Sequence, residues 1–177
     1  MPEVSLNDMR VGDSIAWKGG GMVFHVLSLL LFVFDASWRR RKWKPWHTGF
    51  VVKVLAEGEI VTSQAIGSGI HTLTYESAEA MGDCRFFRWL TNPDQERVEE
   101  YAQGHEREHY DYIGYLWNAV GNLSMYLLKY PFRVVDNAKF CWEHASEFDR
   151  WMGREVQPEA EPCNIARMMN AWEGNTK

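Results

Sequence analysis

The chain is 177 residues long, with 46% hydrophobic and 24% charged residues. That is globular composition, and enough chain for one domain that folds without staples. Lys and Arg total 19 and Asp and Glu 24, a formal net charge of −5, which argues against general nucleic-acid binding because that needs a basic footprint. Cys84, Cys141 and Cys163 are too few and too widely spaced for a disulfide framework or a CxxC metal site, so reduced thiols are expected.

Residues Met1 to Asp8 have no basic stretch and no apolar core, so no signal peptide is expected. The expectation is synthesis in the cytoplasm, with delivery elsewhere, for example in a virion, left open. The longest apolar run, Met22 to Phe34, is broken by His25 and Ser28. It falls short of the roughly 20 residues that a membrane-crossing helix needs. The nine tryptophans suit a packed core, a glycan cleft or a membrane interface; the core is the expectation.

In chain order, Val11 to Trp17 reads as a turn entering a short strand, broken at Gly19-Gly20-Gly21. Met22 to Phe34 reads as a buried or interfacial helix, which periodicity alone does not separate. A basic and aromatic loop follows, from Arg39 to Trp46. His47 to Leu55 and Glu59 to Ala65 read as strands joined by a hairpin at Glu57-Gly58. After a turn at Gly67-Ser68-Gly69, Ile70 to Tyr75 alternates as a further strand, and Cys84 to Leu90 as another. Beyond Pro93 the pattern turns helical: Asp94 to Gln103, Tyr110 to Tyr130, Cys141 to Met152, and Ile165 to Trp172. Strands first and helices second predict an α+β fold in a single domain over residues 1–177, with a core of about 8–155 and an extension over 156–177.

Two constellations carry candidate chemistry. His105-Glu106-Arg107-Glu108-His109 fits both H-E-x-x-H and its reverse, H-x-x-E-H. In zinc proteases the interior of that motif is apolar, because its helix lies buried behind the metal. Here the interior is Arg107-Glu108, so a solvated loop or helix end is expected and no metal is assigned. The second constellation is Cys141, which follows a loop and opens a helix. A helix N-terminus lowers a thiol's pKa, and a histidine base would complete a Cys–His pair. His47, at the mouth of an apolar strand, is the natural partner. Gln64 on the next strand is expected to hold the imidazole by accepting from Nδ1–H, with His71 and Glu76 as competitors for that third role.

Four stretches in this order resemble the circularly permuted branch of the NlpC-like papain-fold cysteine hydrolases. Val11-Gly12-Asp13-Ser14-Ile15-Ala16-Trp17 is similar to the family's opening "GD" and apolar strand. Trp46-His47-Thr48-Gly49-Phe50-Val51-Val52 resembles its "sHvgiv" strand. Tyr110-Asp111-Tyr112-Ile113-Gly114-Tyr115-Leu116 is similar to its "YDyiGll" segment. Phe140-Cys141-Trp142-Glu143-His144 resembles its "CSEl" helix start. The resemblance spans about Val11 to Gly153. It implies a papain-like fold, a small antiparallel sheet or barrel packed against helices, with Cys141 as nucleophile, His47 as base and Gln64 as orienting residue. It also implies a substrate cleft near Tyr110, Trp46 and Trp142. Trp142 replaces the family's small residue after the cysteine, and His144 replaces an apolar one.

The function expected from this resemblance is amide hydrolysis in a peptidoglycan-type peptide, a peptide or glycopeptide substrate, with no cofactor. Two alternatives stand beside it: a lipid or thioester acyl hydrolase or acyltransferase using the same residues, and an inactive, phage-encoded binding module. The segment from Met22 to Trp46, apolar and then basic with interleaved tryptophans, has the composition of a membrane-surface contact. No nucleic-acid partner is expected.

Overall fold

The computed structural model describes residues 8–18, 39–89, 93–111, 117, 120–121, 123–124, 127–128, 139, 141–154 and 165–174. The expected Met22–Phe34 helix and the glycine break before it lie outside these residues. Five strands form one sheet: β1 (Ser14–Lys18), β2 (Pro45–Val54), β3 (Ile60–Ile66), β4 (Gly69–Tyr75) and β5 (Cys84–Phe87). Their order is β4-β3-β2-β1-β5, and every pair is antiparallel. Among the described residues, three helices with defined bounds follow: α1 (Gln95–His105), α2 (Cys141–Trp151) and α3 (Ile165–Gly174). The fold is therefore α+β, as the order of strands and helices predicts.

Local chemistry explains the boundaries. Gly58 takes a positive φ in the β2–β3 hairpin, where Gly58 N donates to Leu55 O. Asp94 caps α1 by accepting from Glu96 N at 3.1 Å. Gly153, with φ of 73°, ends the turn after α2. The strand expected from His47 begins two residues earlier, at Pro45, a position where a strand tolerates proline.

Alternation sorts the sheet's side chains onto two faces. Ile15, Trp17, Val51, Ile60 and Phe86 pack on one, with Met81 from the 3₁₀ turn Glu79–Met81. Phe50 and Val52 lie on the other, against Val98, Tyr101 and Ala102 of α1 and Phe148 of α2. Phe50 and Phe148 stack with centroids 3.7 Å apart and planes 7° from parallel. Ala16, Ala65, Ile70 and Phe87 continue that second face against Cys141, Trp142 and Ala145 of α2 and the buried residues of α3. The candidate nucleophile is thus embedded at one end of a helix–sheet interface.

Gly49, at the centre of β2, pairs with Gln64. A Cβ there would lie 2.5 Å from Ser63 O and 3.0 Å from Gln64 Cγ. Backbone cannot yield cheaply, so β2 and β3 must separate locally. Gly49→Ala is expected to cost about 1–3 kcal/mol by overpacking, measured as a fall in the urea midpoint. A midpoint equal to that of the wild type would show that the strands accommodate the methyl group.

Candidate functional site

Cys141 is the first residue of α2, where backbone N–H groups have no partner within the helix. Three contacts fix this helix start against β2. Thr48 Oγ1 donates to Cys141 O at 2.9 Å. Trp142 Nε1 donates to Trp46 O at 3.2 Å, and Cys141 Sγ approaches the same carbonyl at 3.9 Å. Tyr110 also hydrogen-bonds to the thiol through its side chain. It is placed there by a parallel bridge to Lys139, two residues before Cys141. This corrects the expectation of a helix beginning at Tyr110. Residues described further along that segment, Trp117, Val120, Gly121, Leu123, Ser124, Leu127 and Leu128, are helical.

His47 lies on β2, with its ring 5.1 Å from that of Trp17 and 5.9 Å from that of Trp46. Its Nε2 is 2.7 Å from Gln64 Oε1. Gln64 is the member of the expected trio of orienting residues that touches the imidazole. His71 instead bonds to Ser68 Oγ at 2.9 Å on edge strand β4, and Glu76 lies exposed just beyond it. The contact uses Nε2, not the Nδ1 expected from the sequence, so Nδ1 is the ring nitrogen left for proton transfer. Trp46 is 43% exposed whereas Trp142 is buried, so of the two expected cleft tryptophans only Trp46 offers its ring to solvent.

The geometry also separates the expected pair. Thr48 faces α2, and strand alternation turns His47 to the opposite face with Trp17 and Gln64. The peptide between Trp46 and His47 lies beside the thiol, and among the described residues no hydrogen bond joins Cys141 to His47. Burial pushes the Cys141 thiol up to about 12, against hydrogen bonds at Thr48, Trp142 and Tyr110 that favour the thiolate. Burial likewise lowers His47 to about 4, with the Gln64 bond opposing it. At neutral pH the resting state is a thiol and a neutral imidazole, not an ion pair.

The H-E-x-x-H letters do not form a metal-binding helix turn. His105 ends α1, with Nδ1 bonded to Tyr101 O at 2.8 Å. The chain then reverses through Arg107, whose φ is 69°, and returns to β4, where Ile70 N donates to Glu108 O at 2.8 Å. Among the described residues no group of three His, Cys, Asp or Glu side chains is arranged to hold a metal ion. No described helix is long and apolar enough to cross a membrane.

Several residues at the site went unassigned in the sequence. Thr48 anchors the helix start, and Thr62 and Tyr75 hold Gln64 at 2.8 Å and 2.9 Å. Thr62 is two residues from Gln64 and so shares its face by strand alternation, a signal available before any coordinates. Tyr75 required the β3–β4 register. A comparison with protein-family models finds no match to this chain, and neither does a comparison with curated proteins.

Proposed function

We propose that the chain is a cysteine hydrolase of the permuted papain-like type, cleaving an amide in a peptidoglycan-type peptide. The observation that carries this reading is a thiol at a helix N-terminus, fixed beside the strand segment that bears an amide-held histidine. Cys141 Sγ attacks the substrate carbonyl and its proton passes to His47 Nδ1. The carbon–nitrogen bond then breaks, the leaving amine takes that proton, and water hydrolyses the thioester. The helix's first N–H groups face the position where the oxyanion develops. Because the His47 ring lies on the other face of β2 from the thiol, the proton can move only once substrate displaces the Trp46 carbonyl and the start of β2 turns the ring toward Sγ. A lipid or thioester acyl substrate follows the same course, with the C–O or C–S bond breaking and the alcohol or thiol leaving with the proton. The exposed Trp46, a few residues along the chain from the exposed cations Arg39, Arg40 and Lys42, suits substrate presented at an anionic surface.

The test is acyl transfer from p-nitrophenyl acetate, read as an acetyl group on each cysteine by mass spectrometry. Cys141 is expected to acylate at least about 100-fold faster in the wild type than in His47→Ala, the usual size of a general-base contribution. Cys141→Ala should leave only slow labelling at the remaining thiols. A second reading rests on the buried thiol and its separation from the ring: an inactive binding module in which Cys141 is a packing residue. Acylation of Cys141 no faster than that of Cys84, and unchanged by His47→Ala, would establish that reading and overturn the hydrolase.

A further inference from the structure

The bonds behind Gln64 run in one direction. Thr62 Oγ1 donates its single proton to Leu73 O, at 3.4 Å. Toward Gln64 it therefore offers only a lone pair. Gln64 Nε2 donates to that lone pair at 2.8 Å and to Tyr75 Oη at 2.9 Å, which uses both amide protons. The carbonyl end is left to face His47, and an amide oxygen accepts and does not donate. His47 Nε2 must then carry the proton.

We propose that the backbone carbonyl of Leu73, acting through Thr62 and Gln64, sets which nitrogen of His47 is protonated, and that Thr62 and Tyr75 are positioning residues for this imidazole. The alternative amide orientation turns the Gln64 oxygen toward Thr62, whose proton is already given to Leu73 O, and leaves Tyr75 Oη as its one donor. Thr62 is fully buried and Gln64 is 3% exposed, so water does not substitute for the lost bond. An unmade buried hydrogen bond shifts a ratio of two states by about tenfold. Gly49 completes the arrangement, since a Cβ there would sit 3.0 Å from Gln64 Cγ. The imidazole is held neutral by burial, which is the state in which the choice of tautomer has meaning. The result is a base with its lone pair on Nδ1. The catalytic meaning of this relay rests on the hydrolase reading; the tautomer itself does not.

The experiment is a long-range proton–nitrogen correlation spectrum of the isotope-labelled full chain at neutral pH, with His47 assigned from the signals lost in His47→Asn. The wild type is expected to hold the proton on Nε2 with a preference of at least about tenfold. Thr62→Val combined with Tyr75→Phe should reduce that preference about tenfold, and Thr62→Ser, which keeps the hydroxyl, should preserve it. If the double variant does not fold, Thr62→Val alone should still lower the preference about threefold, for one bond of ordinary strength. A proton on Nδ1 in the wild type, or a preference unmoved by these substitutions, overturns the proposal. A wild type with the expected tautomer but no acylation of Cys141 would overturn the hydrolase reading and leave the relay standing.

Discussion

Asp149→Ala is expected to remove about 3–5 kcal/mol of folding stability, the usual cost of leaving one partner of a buried ion pair alone. Asp149 is fully buried on α2. Its Oδ1 accepts from Arg154 Nη1 at 3.1 Å and from Ser14 Oγ at 3.3 Å, and its Oδ2 accepts from Trp172 Nε1 at 2.7 Å. One carboxylate thereby joins β1, α2, α3 and the turn after α2. Burial raises its pKa, while Arg154, Trp172 and Ser14 favour the charged form. The alanine variant leaves the Arg154 guanidinium, itself 5% exposed, with the Gly12 carbonyl at 3.0 Å and the rings of Trp89 and Phe148 at 5.3 Å and 5.5 Å. Those contacts do not neutralise a charge. Asp149→Leu with Arg154→Met removes both charges and should cost clearly less than the sum of the single substitutions. Urea denaturation of the wild type, Asp149→Ala, Asp149→Leu, Arg154→Met and the double variant measures this. A loss below about 1 kcal/mol for Asp149→Ala, the level of an exposed pair, would mean that the network is not the junction described here.

The sheet was legible where polar and apolar residues alternate and glycine marks the turns. Ile70 to Tyr75 and the Glu57-Gly58 hairpin needed no more than that. Cys141 at the start of its helix was legible too, because the preceding loop and the following apolar spacing define the boundary. The face to which His47 points was harder. A histidine at the mouth of a strand reads the same on either side, and only Thr48 reaching Cys141 O fixes the direction. Which imidazole nitrogen Gln64 meets depends on cross-strand distances that no local pattern encodes. Tyr110 read as a helix start because its segment is apolar and helical further on, yet its pairing with Lys139 is a long-range event. His144 and Asp149 fall on the buried stripe of α2 at positions helical periodicity marks as core. Their polarity signals partners, but those partners, Ser63 for one and Arg154, Trp172 and Ser14 for the other, come from distant segments.

Stability should fall steeply as pH drops from 6.5 toward 4, because the fold keeps two histidines neutral. Burial lowers His47 from 6.5 to about 4, its ring being enclosed by Trp17, Trp46 and Gln64 although the residue as a whole keeps some exposure. Burial lowers His144 well below its ordinary value, and the charge of Lys139 acts in the same direction. The His144 ring lies against Phe50 and Tyr101, with Nε2 on Ser63 Oγ at 3.0 Å and Nδ1 without a partner among the described residues. As pH falls through 6.5 the unfolded chain binds a proton at each site and the folded chain does not, so the unfolded state is favoured. Above 6.5 both states are neutral at these positions and the contribution is constant. For His47 alone the loss by pH 4 is at most about 3 kcal/mol, at 1.36 kcal/mol per pKa unit. Measured between pH 7.5 and 5, above most carboxylate titration, the unfolding free energy should acquire a slope approaching about two protons. Replacing His144 by Leu together with Ser63→Ala should remove about one of them, at the expense of the Phe50 and Tyr101 contacts. At the other end, Cys141 and Cys84, raised by burial to about 12 and about 11, hold their protons in the fold while the unfolded thiols ionise, so stability falls again above pH 9. A flat profile from pH 7.5 to 5 would show that both imidazoles take their protons inside the fold. An ion pair with Cys141 would then re-enter as the resting state of the site.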